Sequence, residues 1–553
     1  MLGQKKSRFF GDECSCHNIA GFTFTENTVE SFFSRTYKEI EMSGIFGVVS
    51  KGNCAEALFY GTDYHSHLGT EYGGVAILGE GFVRQIHSVS QSQFKSKFYD
   101  DYKYMKGNKG IGVISDYDEQ PIYLNSRFGP FCIVTSGFIE NVEELVSNLL
   151  KKGVSFSEVS KRVVNTPELI AKLINQGNDL IDGIEKMFDA IEGSCSLLLL
   201  HKDGIYAARD RFGYTPLIIG KRDDAWAVTA ETSAFPNNDF IVVKHLKPGE
   251  IILINEEGIV QKRPGGDLNQ ICAFLWIYTG FPASNYEGIN VETVRERCGR
   301  YLAKKDKDIN VDVVSGVPDS GMAHGLGYAM ESGKPFRRPL VKYTPGYGRS
   351  YTPPSQEIRN HIAKMKLVPI KEVIKGNSIV VCEDSIVRGT QLKNFAVKKL
   401  WDRGAKEIHI RPACPPLMFP CRFNLSTRSI DELAARRAIR ALEGSDIEDV
   451  SEYIDANSKK YREMVEWIAQ DLKVTSLRYQ TVEDMVEAIG LPAENLCLYC
   501  WTGECPRLAA SAEKLSKIAA GEDKAAVAEA ISIKEVSSSK KAGAALPANP
   551  PLH

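Results

Sequence analysis

The chain has 553 residues, 43% of them hydrophobic and 25% charged, with a formal net charge of −2. So even a balance gives no electrostatic basis for nucleic acid or an anionic membrane surface as partner. No apolar run approaches the roughly 18–20 residues of a membrane helix; residues 1–41 have Lys5, Lys6 and Arg8 early but no apolar signal core, so the expected compartment is the cytoplasm.

Residues 1–42 read as an extension, polar and then Phe-rich, either a leader or the product of an upstream start. If the mature chain begins after Met42, Ser43 is its first residue. An N-terminal Ser, Thr or Cys can attack an amide carbonyl with its own amine as base. From 43 to about 260, short apolar runs alternate with Gly and polar turns. The runs 43-SGIFGVVS-50, 131-FCIVTSG-137, 195-CSLLLLH-201 and 249-GEIILIN-255 are expected strands, and 142-VEELVSNLLKKG-153 and 167-PELIAKLINQG-177 expected helices. That predicts mixed α+β structure with antiparallel sheets. From about 270 to 415 the pattern becomes strand, loop, helix, as in 311-VDVVSGVPDSG-321, 378-SIVVCEDS-385, 391-QLKNFAVKKLWDRGA-405 and 407-EIHIRPA-413. Such alternation predicts an α/β unit with a parallel sheet. Residues 428–520 read as mostly helical and carry a cysteine pair near their end. The Ala, Lys, Ser and Pro from about 521 cannot bury a core.

The stretch richest in chemistry is 378-SIVVCEDSIVRGTQL-392, where an apolar strand runs into two acids, a loop of small and polar residues, and a helix start. Ser385, Gly389 and Thr390 let backbone amides close on a phosphate at a helix N-terminus. Glu383 and Asp384, at the strand's carboxyl end, are placed to accept hydrogen bonds from vicinal sugar hydroxyls, because ligands of open α/β sheets sit at that edge. A surface turn with incidental acids is the alternative.

This stretch resembles the phosphoribosyl-diphosphate (PRPP) loop of type I phosphoribosyltransferases and, more narrowly, that of the amidophosphoribosyltransferase family, whose usual first aspartate is here Glu383. The segment 314-VSGVPDSG-321 resembles the family's diphosphate loop, which implies Asp319, Ser320 and Gly321 as PRPP contacts. The segment 342-KYTPGYGRSYTPPSQE-357 resembles, in altered form, the loop that closes over PRPP, which implies Lys342 and Arg349 as cations facing the diphosphate. Together with Ser385, Arg388, Gly389 and Thr390 these make the implied PRPP site, and Ser320, Glu383 and Asp384 are the implied magnesium (Mg2+) contacts. The likeness covers about residues 43–505. It implies an α+β, Ntn-type, four-layer glutamine amidotransferase domain (43–262) followed by an α/β type I phosphoribosyltransferase domain with C-terminal helices and a cysteine site (263–506). An N-terminal extension (1–42) and a tail (507–553), expected to be helical and then disordered, flank them.

In the implied reaction, PRPP loses diphosphate with charge build-up at C1, and Mg2+ and basic residues stabilise the leaving group. Loop closure excludes water, and ammonia attacks to give 5-phosphoribosylamine, the first step of de novo purine synthesis. The resemblance also implies a homodimer or homotetramer, often inhibited by purine nucleotides.

The thirteen cysteines are odd in number and scattered, unlike a disulfide framework. Alone, 497-CLYC-500 is half a zinc site, half an iron–sulfur site, or incidental. The resemblance implies a structural 4Fe-4S cluster on Cys272, Cys421, Cys497 and Cys500, with zinc or plain core cysteines as alternatives.

The runs 205-IYAARDRFGYTPLIIGK-221, 226-WAVTAETSAF-235 and 247-KPGEIILI-254 resemble the scaffold of the family's amidotransferase domain. Its pocket departs from the pattern in five places. Ser43 stands where the family has a Cys nucleophile; 65-HSHLGTEYGG-74 lacks the Arg that meets the glutamine carboxylate; 110-GIGVISDYDEQ-120 replaces Gly-His-x-Arg-Tyr-Ser-Thr; Ser136-Gly137 replaces the Asn-Gly oxyanion pair, keeping Gly137; and Asn165 replaces an Asp. Each lost charge partner or oxyanion donor costs a few kcal/mol, and a hydroxyl is a poorer nucleophile than a thiol. Glutamine hydrolysis through this pocket is therefore expected to be lost. Three readings of the whole follow: an amidophosphoribosyltransferase using free ammonia or glutamine; a non-catalytic or regulatory relative that binds PRPP or nucleotides; and phosphoribosyl transfer to a nucleobase, which the retained Ntn scaffold argues against.

Overall fold

In the first strand, Ile45 and Val49 point to one side and Phe46 and Val48 to the other, each pair entering a different buried cluster. A strand of period two that is apolar on both faces must be covered on both, and that dictates the layers of this half. The computed structural model describes residues 43–158, 164–267, 269–343, 365–423 and 429–504.

The N-terminal half runs β1 (Ser43–Ser50), α1 (Ala55–Asp63), β2 (Tyr72–Leu78), β3 (Phe82–Ser88), α2 (Phe94–Tyr104), β4 (Lys109–Ser115), β5 (Ile122–Ser126), β6 (Gly129–Ile139), α3 (Val142–Lys151), α4 (Thr166–Ile174) and α5 (Leu180–Ala190). It continues β7 (Gly193–His201), β8 (Gly204–Ala208), β9 (Ile218–Arg222), β10 (Ala225–Thr229), β11 (Ile241–His245), β12 (Ile251–Asn255) and β13 (Gly258–Arg263). Seven strands form one sheet in the order β11-β9-β10-β1-β4-β2-β3, and six form another in the order β13-β12-β8-β7-β6-β5. All their pairings are antiparallel, as the sequence predicts. Ile45, Val49 and Ile111 of the first sheet pack on Val134, Leu198 and Leu200 of the second. Helices α1 and α2 cover the outer face of the first through Leu58, Phe94 and Phe98. Helices α3 to α5 cover the second through Leu145, Ile170 and Ile184. The result is four layers, helix, sheet, sheet, helix.

The C-terminal half runs β14 (Ile271–Cys272), β15 (Asn285–Tyr286), β16 (Ile289–Asn290), α6 (Val291–Lys305), β17 (Val313–Gly316), α7 (Met322–Ser332), β18 (Leu340–Lys342), β19 (Leu367–Pro369), β20 (Ser378–Glu383) and β21 (Glu407–Pro412). Then come α8 (Ala434–Glu443), α9 (Lys459–Leu472), β22 (Ser476–Leu477), α10 (Val482–Ile489) and β23 (Leu496–Cys497). Strands β17-β20-β21-β22 form a parallel sheet. Val314, Val380 and Cys382 face α6 and α7, while Val313, Ile379 and Val381 face α8 and α9. Side-chain caps start several helices: Asn290 accepts from Thr293 N at α6 and Ser458 from Tyr461 N at α9, while Gly444, at φ +79°, ends α8. Where the sequence predicts one regular helix over 391–405, the structure has a wider-wound stretch, Leu392–Val397, before a regular turn, Lys398–Asp402. The two-residue strand β22 is too short to carry a periodic signal and is not legible in the sequence.

Candidate active site

Parallel pairing of β17 with β20, Gly316 opposite Cys382, sets the loops that follow them side by side at the carboxyl edge of the sheet. The contact is tight enough to require glycine: a Cβ at Gly321 would lie 2.3 Å from the Cys382 carbonyl oxygen. Ser320 Oγ donates to Glu383 Oε1 at 3.4 Å, and Ser385 Oγ to Asp384 Oδ1 at 2.7 Å. Burial, and after it the adjacent Asp384 charge, push the Glu383 carboxyl well above the usual range. Lys342, at the end of β18, pairs with Asp319 at 2.6 Å. Gly389, at φ +74°, turns the chain so that the next helix begins at Thr390. The structure thus brings together Asp319, Ser320, Gly321, Lys342, Glu383, Asp384, Ser385, Gly389 and Thr390. Arg388 is on the loop, but its guanidinium pairs with Glu432. Arg349 and the rest of the expected closure loop past Tyr343, like the extension 1–42 and the tail 507–553, lie outside the described residues.

Ser43 opens β1 opposite Ser115. Its carbonyl accepts from Ser136 Oγ at 2.6 Å, so the residue expected in place of the oxyanion amide is engaged with the backbone of the expected nucleophile position. Gly137, at φ +140°, lies opposite Cys195 in β7. Asn165 is used by its own fold: Oδ1 accepts from Glu168 N at 3.0 Å as the cap of α4, and Nδ2 donates to the Glu119 carbonyl at 3.0 Å. Thr70 donates through N and Oγ1 to Asp116 Oδ1, at 2.7 and 2.8 Å, which ties the 65–74 segment to 110–120. Burial lowers His65 to about 4, so it is neutral, between the Gly61 carbonyl and Thr229 Oγ1 at 2.9 Å each.

A third constellation was not singled out in the sequence. The side chain of Glu231 is buried where the two halves meet. Its Oε2 pairs with His67 Nε2 at 2.7 Å and accepts from Ser233 Oγ at 3.3 Å; its Oε1 accepts from Phe281 N at 2.8 Å and from the Tyr286 hydroxyl. Burial pushes this carboxyl up, but His67 and the hydrogen bonds outweigh it and hold it at about 2. Just beyond, the buried Arg295 donates to the carbonyls of Trp276, Tyr278 and Gly280 at 2.8–2.9 Å. The stretch 226-WAVTAETSAF-235 reads as scaffold; no local pattern shows that Glu231 would meet residues 50 and more positions away.

The cysteines named in the sequence converge. Cys272 lies opposite Cys497 in the β14–β23 pair, and the Cys500 carbonyl accepts from Met418 N at 2.9 Å and Phe419 N at 3.1 Å, close to Cys421. A hydrogen bond with Cys421, burial, and the proximity of Cys497 and Cys272 push the Cys500 thiol well above its usual range. Burial pushes Cys272 to about 12. Such mutual disfavouring of thiolates is what bound metal cations reverse. Among the described residues no three His, Cys, Asp or Glu side chains are arranged to hold one metal ion, and no helix is long and apolar enough to cross a membrane.

A glutamine amidotransferase domain family matches residues 110–237. The amidophosphoribosyltransferase of Methanocaldococcus jannaschii is 31% identical over 493 residues, 84% of this chain and 98% of that one. That of Bacillus subtilis is 29% identical, covering 84% and 94%. A solved structure of the B. subtilis glutamine PRPP amidotransferase, complexed with ADP and GMP, aligns with a TM-score of 0.71 at 28% identity over 84% of this chain and 97% of that one. With a paired-sheet amidotransferase fold leading into a parallel-sheet transferase fold, and that likeness along nearly the whole of its relatives, the chain belongs to the amidophosphoribosyltransferase family.

Proposed function

We propose that this chain forms 5-phosphoribosylamine and diphosphate from PRPP and ammonia, and that its amidotransferase half no longer hydrolyses glutamine. We take residues 43–262 and 263–506 as the two domains. The observation that carries the transferase reading is the juxtaposition of the Glu383-Asp384 pair and the Ser385–Thr390 loop with the Asp319–Gly321 loop. Amides of the first loop cradle the 5-phosphate. Glu383 and Asp384 accept from the ribose hydroxyls. The second loop and Lys342 hold the diphosphate. Ammonia attacks C1 as the C1–O bond breaks, the diphosphate leaves with the electron pair, and the amine sheds one proton to solvent.

Ser320, Glu383 and Asp384 would hold Mg2+. A close acid pair with one hydroxyl fits an ion that takes its remaining ligands from substrate phosphates and water. When bound it neutralises charge on the leaving diphosphate. Cys272, Cys421, Cys497 and Cys500 fit a 4Fe-4S cluster, which would tie the C-terminal strand β23 to β14. Purine nucleotides, carried by the B. subtilis relative, are proposed as inhibitors of this chain, and a homodimer or homotetramer as its assembly.

The glutaminase reading rests on Ser136, Asn165 and Thr70, whose side chains are spent on the protein itself. The test is diphosphate release from PRPP and Mg2+ with ammonium at high pH, or with glutamine, against an Asp384→Asn control. Release with ammonium alone supports both halves of the proposal. Release with glutamine that is lost in Ser43→Ala refutes the second half, and no release with either donor refutes the first.

A further inference from the structure

We infer that Arg437 is a positioning residue of the phosphate loop, aiming the backbone amides of Arg388 and Gly389 at the 5-phosphate of PRPP. The inference rests on the reading that Ser385–Thr390 cradles that phosphate. In a trans peptide unit the C=O and N–H point in opposite directions. Two consecutive carbonyls of this loop are held by α8: the Val387 carbonyl accepts from Ala434 N at 2.8 Å, and the Arg388 carbonyl from Arg437 Nη2 at 3.0 Å. The N–H groups of the same two peptide units, those of Arg388 and Gly389, therefore point away from α8. Among the described residues neither amide donates to another backbone group.

The first anchor is a backbone amide, which no substitution other than proline removes. The second depends on one side chain, and the structure braces it. Arg437 Nη2 also reaches Asp471 Oδ2 at 3.4 Å, and Asp471 Oδ1 takes Lys393 Nζ at 2.6 Å. Lys393 stands in the first turn of the helix that the loop feeds, and its own N–H donates to the Gly389 carbonyl at 2.9 Å. Asp471, on α9, therefore fixes at once the donor beneath the loop and the helix after it. Its neighbour Leu472 lies under Gly389, where a Cβ would meet Cδ2 at 3.2 Å. Arg388 itself does not compete, being paired with Glu432. Arg437 acts on the 5-phosphate half of the site and does not touch the diphosphate half at Asp319–Gly321.

That asymmetry sets the test. Full-length wild type, Arg437→Ala, Arg437→Gln and Arg437→Lys are titrated calorimetrically with ribose 5-phosphate and, separately, with magnesium diphosphate, each variant first checked for a normal melting curve. Arg437→Ala should bind ribose 5-phosphate about tenfold more weakly, the worth of one charge-assisted hydrogen bond, and bind diphosphate as before. Arg437→Lys should recover part of the loss, and KM for PRPP should rise with kcat little changed. Should the alanine variant fail to fold, the glutamine variant carries the comparison. Unchanged ribose 5-phosphate affinity, or an equal loss for both ligands, overturns the inference. Wild type that binds neither ligand overturns instead the reading of the loop on which it rests.

Discussion

Tyr286, on the transferase side, donates its hydroxyl to the buried carboxylate of Glu231 on the amidotransferase side. Both groups are buried, so the bond has no water to replace it. Removing a donor from a buried charge costs about 1–3 kcal/mol, and Tyr286→Phe is expected to lower the melting temperature accordingly. Glu231 is held at about 2 against an ordinary 4.5. A depressed acid contributes stability that is complete above its ordinary value and is lost as the pH falls toward the folded one. Stability scans from pH 5 to 2 should show a steep decline in wild type that Glu231→Gln flattens. An unchanged slope would mean that the junction does not depend on this charge.

Ser43→Ala should leave ammonia-dependent diphosphate release within about twofold of wild type, since a residue with no part in the transferase chemistry changes little. Glutamine-dependent release should be absent from both. Steady-state assays with each donor decide this, and a glutamine rate in wild type that the substitution removes would count against the lost-glutaminase reading.

Glu383 bears the opposite pH signature from Glu231. Its folded pKa is raised, so the fold binds a proton the unfolded chain has already lost. Stability then falls as pH rises past the ordinary carboxylate value, and the penalty is present at neutral pH. Glu383→Gln should stabilise the protein at pH 7–8 by about 0.5–2 kcal/mol, with a gain that shrinks toward pH 4, and should abolish PRPP turnover. Calorimetric melting across that range, beside the activity assay, checks both signs. A destabilised variant would show that the acid pair is structural.

Cys500→Ser should eliminate iron and acid-labile sulfide from protein reconstituted without oxygen, and lower its melting temperature toward that of the metal-free wild type. Elemental analysis and melting curves read this directly. If wild type takes up one zinc per chain and no iron, the cluster reading fails and the convergence of the four thiols serves another metal.

The sequence by itself determined whatever is built from neighbours along the chain. The apolar run of β1 and the acid-acid-loop-helix order after β20 each lie within a single short stretch and were legible because backbone geometry ties them to local pattern; the departures at Ser43, Ser136 and Asn165 were legible only against the pattern of the family that the chain resembles. The family resemblance added which cysteines to compare. The tertiary structure alone decided the contacts that close only when distant segments pack. These include the burial of Glu231 against His67 and Tyr286, the turning of Arg388 to Glu432, and the placement of Arg437 beneath the Arg388 carbonyl. An exposed-looking Arg in a helix or a Glu in a scaffold strand carries no mark of its partner, because side-chain hydrogen bonds and ion pairs depend on distance in space and not on spacing in the chain.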